Sequence, residues 1–258
     1  MATRYAIGNW KMNTDLPGAV TLATELTVAL RETPPVDGVV VGVAPPFCFL
    51  GPVKEVLEGS PVELIAQDCH PEPKGAFTGA VSASMLASLG VQRVIVGHSE
   101  RRAVFGDDDA TVRRKLEAAL GAGLRVILCV GETLAQREAG QAEEVVGAQL
   151  KAGLEGLSAE QLARVIVAYE PVWAIGTGVT ATPEQAGAMH TTLREQVLPE
   201  LCSGALGDGD APAVLYGGSV KPANIDALAK TAHIGGVLVG GASLEASSFA
   251  RIVQGCAG

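Results

Sequence analysis

The sequence predicts an α/β fold in which residues 1–258 form one closed (β/α)8 barrel as a single domain. Three observations lead to this prediction: eight short apolar runs, segments of helical periodicity between them, and no composition shift or long linker that would divide the chain. A length of 258 residues with 48 % hydrophobic content suits one barrel of this kind. Two small domains or a doubly wound sheet are the structural alternatives.

The eight runs have the character of strands in a parallel sheet. Most are continuous apolar segments rather than alternating ones, as expected of strands covered on both faces. In chain order they are YAIGNW (5–10), VVVGVAP (39–45), ELIAQD (63–68), RVIVGH (93–98), RVILCVG (125–131), RVIVAYE (164–170), AVLYGG (213–218) and GGVLVGG (235–241).

Helices are predicted between these strands. The segments ATVRRKLEAALGAG from Ala110 and AEEVVGAQLKAGL from Ala142 have helical periodicity. Capping boxes, which begin helices, are predicted at 158–161 and at 182–185, the second with proline at its first helical position. The glycine-rich segment 202–212 is predicted to be a surface loop before the seventh strand.

The charge of the chain excludes several partners. Its net charge of −9 and pI near 5.0 leave no basic surface to neutralise nucleic-acid phosphates or anionic lipid. No stretch of 18 apolar residues occurs, and no long apolar segment follows the positive charge near the amino terminus. We therefore expect a soluble, cytoplasmic protein with no nucleic-acid and no membrane partner.

The five cysteines are odd in number and widely spaced, without a CxxC pair, so we expect them to be reduced and mostly buried. Cys69 and His70 are adjacent, which is poor geometry for two ligands of one metal, and no further ligands follow at zinc-site spacing. No metal site is predicted.

Polar residues follow several of the predicted strands at the point where each strand ends. Asn9 and Lys11 follow the first run, His98 and Glu100 the fourth, and Glu170 the sixth. In a barrel of parallel strands these positions share one rim, and that rim carries the active site. We expect the five side chains to meet there.

Glu170 is the strongest candidate for a general base. A solvated carboxylate is the ordinary alternative, since glutamates are mostly exposed. Here, however, a proline, an apolar tip and two glycines follow it in PVWAIGTG (171–178). An apolar loop that folds over a carboxylate excludes water and raises its basicity.

The other rim residues complement a base. His98 enters HSERR, a predicted helix start, where the positive end of the helix favours a neutral imidazole that donates to a carbonyl oxygen. Lys11 offers a cation for an anionic substrate, and Asn9 can orient it. Simpler alternatives exist for all three: His98 could be a packed or surface histidine, Lys11 an exposed lysine and Asn9 a turn residue.

Two glycine pairs close the last two strands, at 217–219 and 240–241. Barrels commonly hold a phosphate here, on exposed amides and a helix amino terminus. The segment 176–181 matches the dinucleotide pattern GxGxxA, but it follows the sixth strand and does not open a βαβ unit, so dinucleotide binding is not expected. Together these groups would be a base, a neutral hydrogen-bond donor, a lysine and a phosphate site. They suit the abstraction of a proton from the carbon beside a carbonyl, which forms an enediolate.

Six segments in order along the chain carry a family resemblance. They are NWKMN (9–13), GHSERR (97–102), CVGET (129–133), YEPVWAIGTG (169–178), YGGSVKPAN (216–224) and LVGGASL (238–244). The chain resembles the triosephosphate isomerase family, which interconverts dihydroxyacetone phosphate and D-glyceraldehyde 3-phosphate on a TIM barrel. In that family a glutamate acts as the base beside a neutral histidine, and a loop excludes water, so that the surroundings tune the pKa values of both side chains.

The resemblance implies a role for each rim residue. Glu170 would move the proton between two substrate carbons, and His98 would polarise the carbonyl oxygens. Lys11 would contact the anionic substrate and Asn9 would line the site, with Glu100 as a supporting carboxylate.

The resemblance also implies a phosphate site and a lid, with no cofactor and no metal. The amides that hold the phosphate would be those of Gly176, Ser219, Gly240 and Gly241. The lid would be formed by Pro171, Val172, Trp173, Ala174, Ile175, Gly176 and Thr177.

A homodimer is implied as well, in which the loop 75–79 reaches into the neighbouring subunit and Thr78 makes the contact. Three positions depart from the family pattern. Asp68 replaces asparagine and Ala80 replaces glutamate near that contact, and Gly235 replaces an aspartate before the last strand.

Two other functions remain open at this point. One is a different phosphate-binding barrel enzyme, of aldolase or synthase type, for which a Schiff-base lysine at a strand end would be needed. Lys11 is the only candidate for that lysine. The other is a barrel that binds sugar phosphates without catalysis.

Overall fold

A computed structural model describes residues 3–176, 181–202 and 211–257. Its sheet is a closed barrel of eight parallel strands in chain order, which confirms the predicted fold. The strands are β1 (Arg4–Asn9), β2 (Val39–Ala44), β3 (Val62–Ala66), β4 (Arg93–Val96), β5 (Arg125–Val130), β6 (Val165–Tyr169), β7 (Val214–Tyr216) and β8 (Gly236–Val239). Strand β1 closes the ring, since Ala6 pairs with Val41 of β2 on one side and with Val237 of β8 on the other.

Helices follow the strands and cover the outside of the barrel. In the described residues they are α1 (Leu16–Glu32), α2 (Leu50–Leu57), α3 (Ala83–Leu89), α4 (Ser99–Phe105), α5 (Asp109–Gly121), α6 (Leu134–Glu138), α7 (Ala142–Leu154), α8 (Ala159–Leu162), α9 (Pro183–Thr192), α10 (Leu198–Cys202), α11 (Ile225–Lys230) and α12 (Ala246–Gly255). A π-helical segment, Leu193–Val197, joins α9 to α10.

The helix starts agree with the sequence prediction. Helices α5 and α7 begin within one residue of the predicted segments, and capping boxes begin α8 at Ser158 and α9 at Thr182. Most of the predicted surface loop, residues 203–210, lies outside the described residues.

Two apolar layers hold the barrel together. One fills its interior, and the other packs between the strands and the helices. Each fully buried aliphatic side chain contributes roughly 1.5–3 kcal/mol. Residues of the interior layer include Ile7, Ala44, Ile65, Ile95, Ile127, Ala168, Leu215 and Leu238.

Ion pairs lie at the amino-terminal end of the strands. Glu63 accepts hydrogen bonds from Arg93 Nε and from an Arg125 guanidinium nitrogen, both at 2.8 Å, and the Arg93 guanidinium stacks on Tyr5. This end of the barrel is therefore filled, and the accessible cavity is at the opposite, carboxyl-terminal end.

Three further properties bear on function. No helix within the described part of the chain is long and apolar enough to cross a membrane. All five cysteines are free thiols, and all except Cys48 are buried. Among residues 3–176, 181–202 and 211–257, no group of three or more metal-ligating side chains lies close enough together to hold an ion.

Candidate active site

The main cavity, of about 460 Å³, lies at the carboxyl ends of the strands. It brings together residues from five strand ends that are far apart in sequence. Its lining residues are Asn9, Lys11, His98, Glu170, Ile175, Gly176, Gly217, Gly218, Ser219, Val220, Lys221, Leu238, Gly240, Gly241 and Ala242. Every residue expected to act on the substrate or its phosphate is in this set.

Glu170 follows β6 directly and is only 2 % exposed. Its Oε2 accepts a 2.8 Å hydrogen bond from the backbone N–H of Ser99, and its Oε1 lies 3.0 Å from Nε2 of His98. Burial is the largest influence on the carboxyl and raises its pKa. The contacts with His98 and Ser99 lower it, and the net pKa lies below the usual value. In this arrangement the carboxylate is therefore ionised and held in place.

His98 is the N-cap residue of α4, and its Nδ1 accepts the backbone N–H of Glu100 at 3.2 Å. That bond requires a lone pair on Nδ1, so the neutral form of the ring carries its proton on Nε2, toward Glu170. Burial lowers the pKa of His98 most, but the charge and hydrogen bond of Glu170 together raise it, and the net shift is upward. This upward shift depends on Glu170 remaining beside the ring.

Lys11 has a left-handed backbone with φ of 52°, which turns the chain sharply after β1. Three contacts fix it: its N–H donates to Asn9 Oδ1 at 3.0 Å, its carbonyl accepts from Gln67 Nε2 at 2.8 Å, and its Nζ lies 2.7 Å from Glu100 Oε1. The ammonium group is thus held at the cavity by a carboxylate on α4.

Glycines form the wall opposite these side chains. A Cβ at Gly217 would lie 2.9 Å from Cγ of Glu170, and one at Gly240 would lie 3.4 Å from Cε of Lys11. A Cβ at Gly218 would collide with the Tyr216 hydroxyl. A side chain at 217 or 218 would therefore displace Glu170 or Tyr216, whereas a Cβ at 240 would make only an ordinary contact with the end of Lys11.

The predicted lid begins directly after Glu170. Residues Val172–Ala174 form a 3-10 turn, and Trp173 Nε1 donates to Glu132 Oε1 at 2.8 Å. The same carboxylate oxygen accepts from the Tyr169 hydroxyl at 3.1 Å and from Arg137 at 3.2 Å. The first part of the predicted lid is thus anchored to the segment that follows β5. Thr177 lies outside the described residues.

Sequence reasoning missed four contributors to this site. Glu132 is completely buried at the end of β5, and the strand-end rule would have found it within the segment CVGET. Gln67 follows β3 in the same way. Ser99 acts through its backbone N–H, which no sequence pattern reveals, and Lys221 lines the cavity from the turn after β7.

Thr78 lies on an exposed loop and does not line the main cavity. The nearby departure at Asp68 has a structural counterpart in Lys115, whose buried Nζ lies 2.9 Å from both Asp68 oxygens and 2.6 Å from Asp107. Burial raises the pKa of Asp68, against the lowering effect of Lys115 and Arg101. The Asp68 carboxylate therefore pairs with the buried ammonium group of Lys115.

Comparisons with known proteins agree with the family resemblance seen in the sequence. The family model described as triosephosphate isomerase matches residues 4–256. The chain belongs to the triosephosphate isomerase family. A triosephosphate isomerase of Roseiflexus sp. (strain RS-1) is 52 % identical over 254 residues, covering 98 % of both chains. Another, of Herpetosiphon aurantiacus, is 50 % identical over 250 residues and 96 % of both chains.

A solved structure agrees with these matches. Triosephosphate isomerase from Bartonella henselae superposes with a TM-score of 0.85 at 35 % identity, covering 98 % of each chain. Triosephosphate isomerases are intramolecular oxidoreductases, so this family member is an aldose–ketose isomerase on a TIM barrel. The aldolase, synthase and binding-only alternatives are thereby set aside.

Proposed function

We propose that this isomerase interconverts dihydroxyacetone phosphate and D-glyceraldehyde 3-phosphate through an enediolate, with Glu170 moving the proton between adjacent carbons. The observation that carries the proposal is the meeting of Glu170, His98 and Lys11 in one cavity walled by glycine amides. A base, a neutral donor, a cation and an anion cradle are the groups that this proton transfer needs.

Glu170 reaches the substrate by leaving its present contacts. Its carboxylate is engaged by Ser99 and His98, so proton abstraction requires the side chain to turn toward the substrate carbon. The contacts with His98 and Ser99 that lower its pKa are then lost, while burial still raises it. The move therefore makes the carboxylate a stronger base at the moment when it is needed.

His98 then acts as the electrophile. Without Glu170 beside it, the ring loses the largest influence that raises its pKa, and both burial and the helix N-terminus favour the neutral form. The Nε2–H that now points toward Glu170 becomes free to donate to the substrate oxygens. Since the Glu100 N–H keeps Nδ1 occupied, the proton stays on the nitrogen that faces the cavity.

Lys11 supplies a fixed cation for the negative charge of the substrate, and Asn9 holds the backbone that presents it. The amides of Gly176, Ser219, Gly240 and Gly241 bind the phosphate. The lid, with Pro171 at its near end, closes over the intermediate and excludes water, which prevents loss of phosphate to methylglyoxal.

We further propose a homodimer that acts in the cytoplasm, where triose phosphate interconversion serves glycolysis and gluconeogenesis. Met12 and Phe105 are 95 % and 65 % exposed and line a second cavity of about 280 Å³ beside the active site. Exposed apolar side chains around a pocket fit a protein partner. The loop that carries Thr78 from a second copy would fill it. Light scattering across a dilution series, followed with activity, tests this assembly.

Glu170→Gln tests the chemistry. It keeps the size of the side chain but removes the base, so turnover should fall by about two to four orders of magnitude. Turnover is measured by coupling product to a second enzyme, and circular dichroism checks the fold. Glu58→Gln, the same change at an exposed position, is the matched control. A loss smaller than about tenfold in Glu170→Gln would place the base elsewhere.

A further inference from the structure

Lys221 lies on the rim of the main cavity, in the segment that joins β7 to α11. It comes two residues after Ser219, whose backbone amide belongs to the proposed phosphate site. Because Lys221 is exposed, the simplest interpretation is a solvated surface lysine. Its fixed backbone and the charges of its surroundings indicate a more specific role.

The backbone of Lys221 is held in place by Asn224. The N–H of Lys221 donates to Asn224 Oδ1 at 2.7 Å, and its carbonyl accepts from the N–H groups of Asn224 and Ile225 at 3.1 and 3.2 Å. Asn224 Nδ2 in turn donates to the carbonyl of Ser219 at 3.0 Å. The lysine side chain therefore leaves the backbone at a fixed point relative to Ser219.

The backbone groups near Lys221 are suited to an anion. Ser219 and Gly240 both line the cavity, and their N–H groups have no acceptor in the part of the chain that the structure describes. Such amides bind an anion through their dipoles but bring no net charge. A phosphate ester carries nearly two negative charges at neutral pH, so a cation close to these amides would strengthen its binding.

Lys221 is the one charged lining residue without an ion-pair partner among the described residues. The other two are Lys11, whose Nζ lies 2.7 Å from Glu100, and Glu170, which contacts His98. The charges of Lys11 and Glu170 sum to zero, and Glu100 makes the local balance negative. The chain as a whole has a net charge of −9, which repels a dianion. The unpaired ammonium group of Lys221 offsets this repulsion where the phosphate enters.

We propose that Lys221 is a substrate-binding residue whose ammonium group strengthens the capture of the phosphate dianion. The inference rests on the proposed isomerisation. The flexible four-carbon stem of lysine lets the charge follow the phosphate without a fixed geometry. Because the phosphate is not at the carbons that exchange the proton, this charge should act on substrate binding and leave the chemical step almost unchanged.

Three substitutions at this position test the charge. Lys221→Gln should raise KM and lower kcat/KM between about threefold and about tenfold, with kcat changed by less than about twofold. Lys221→Glu should double that effect on a logarithmic scale, and Lys221→Arg should stay near the wild type. Lys230→Gln is the matched control, because it makes the same change of net charge at an exposed position of α11 outside the cavity lining.

Two further measurements separate an electrostatic role from a steric one. Raising sodium chloride to about 1 M shortens the Debye length to about 3 Å, so the difference in kcat/KM between the wild type and Lys221→Gln should shrink to within about twofold. Inorganic phosphate should raise the melting temperature of the wild type more than that of Lys221→Gln, each compared with sodium chloride of equal ionic strength. The second measurement does not require turnover.

The outcomes are distinct. Absence of turnover by the folded wild type would refute the proposed function, and the melting temperatures with inorganic phosphate would then decide the role of Lys221 separately. An unchanged KM in Lys221→Gln, or an unchanged response to inorganic phosphate, would overturn the inference alone. It would also be overturned by equal effects in Lys230→Gln, by a loss in kcat rather than in KM, or by a difference that persists at high salt.

Discussion

Acidification should destabilise this protein through His190 in particular. The pKa of this buried imidazole falls from its usual 6.5 to about 4 in the folded state. The unfolded chain therefore binds an additional proton between these two values, and stability is lost as the pH falls through that window. The groups that act on the ring are Tyr169, Tyr216, the carbonyl of His233 and the His233 imidazole, whose positive charge lowers the pKa of His190 further, and none of them supplies a negative charge at these pH values.

The size of the effect follows from the two pKa values. A shift of about 2.5 units corresponds to at most about 3.4 kcal/mol, of which about 3 kcal/mol is expressed at pH 4 and almost none at pH 7. His190→Phe removes this titration. The difference in unfolding free energy between pH 7 and pH 4 should therefore shrink by about 3 kcal/mol in the variant.

Urea unfolding at fixed protein concentration, followed by circular dichroism at half-unit steps between pH 4 and pH 7.5, measures this difference. Comparing the two pH profiles rather than the absolute stabilities cancels any packing cost of the phenylalanine. A variant whose profile is parallel to that of the wild type across the window would refute the reasoning, because it would show that His190 does not titrate with a depressed pKa.

Two further changes have definite expected outcomes. Lys115→Met removes the buried cation between the carboxylates of Asp68 and Asp107, so the free energy of unfolding at pH 7 should fall by about 3–5 kcal/mol. The loss should be smaller near pH 4. An unchanged urea midpoint at pH 7 would contradict this prediction. Trp173→Phe removes the indole N–H that donates to Glu132, so kcat/KM should fall about tenfold as one hydrogen bond to a charged group is lost. Its matched control is Trp10→Phe, because Trp10 is a buried tryptophan whose indole N–H has no partner among the described residues. Equal losses of kcat/KM in the two variants would show that the hydrogen bond from Trp173 to Glu132 is not the cause.

Much of the active site was predictable from strand ends. Glu170, His98 and Lys11 each follow an apolar run, and the carboxyl ends of parallel strands in a barrel share one rim. Linear position was therefore enough to place them together. The same rule reaches Glu132, which is completely buried just after β5.

Contacts between side chains on different elements were not predictable in this way. The sequence indicated a base and a donor, but only the structure places Ser99 N–H and His98 on the two oxygens of Glu170. Likewise, only the structure places Lys115, 47 positions away, against both oxygens of Asp68. Such contacts depend on the rotation of each helix against the barrel.

The sequence by itself determined the order of the strands, several helix starts and the polar residues that end the strands around the main cavity, because hydrophobic periodicity and capping are local properties. Tertiary structure alone decided which atoms of those residues meet and what lies behind them. His190 shows the difference: nothing near it in the sequence marks it, and its contacts with Tyr169 and Tyr216 arise only where α9 packs across the ends of β6 and β7.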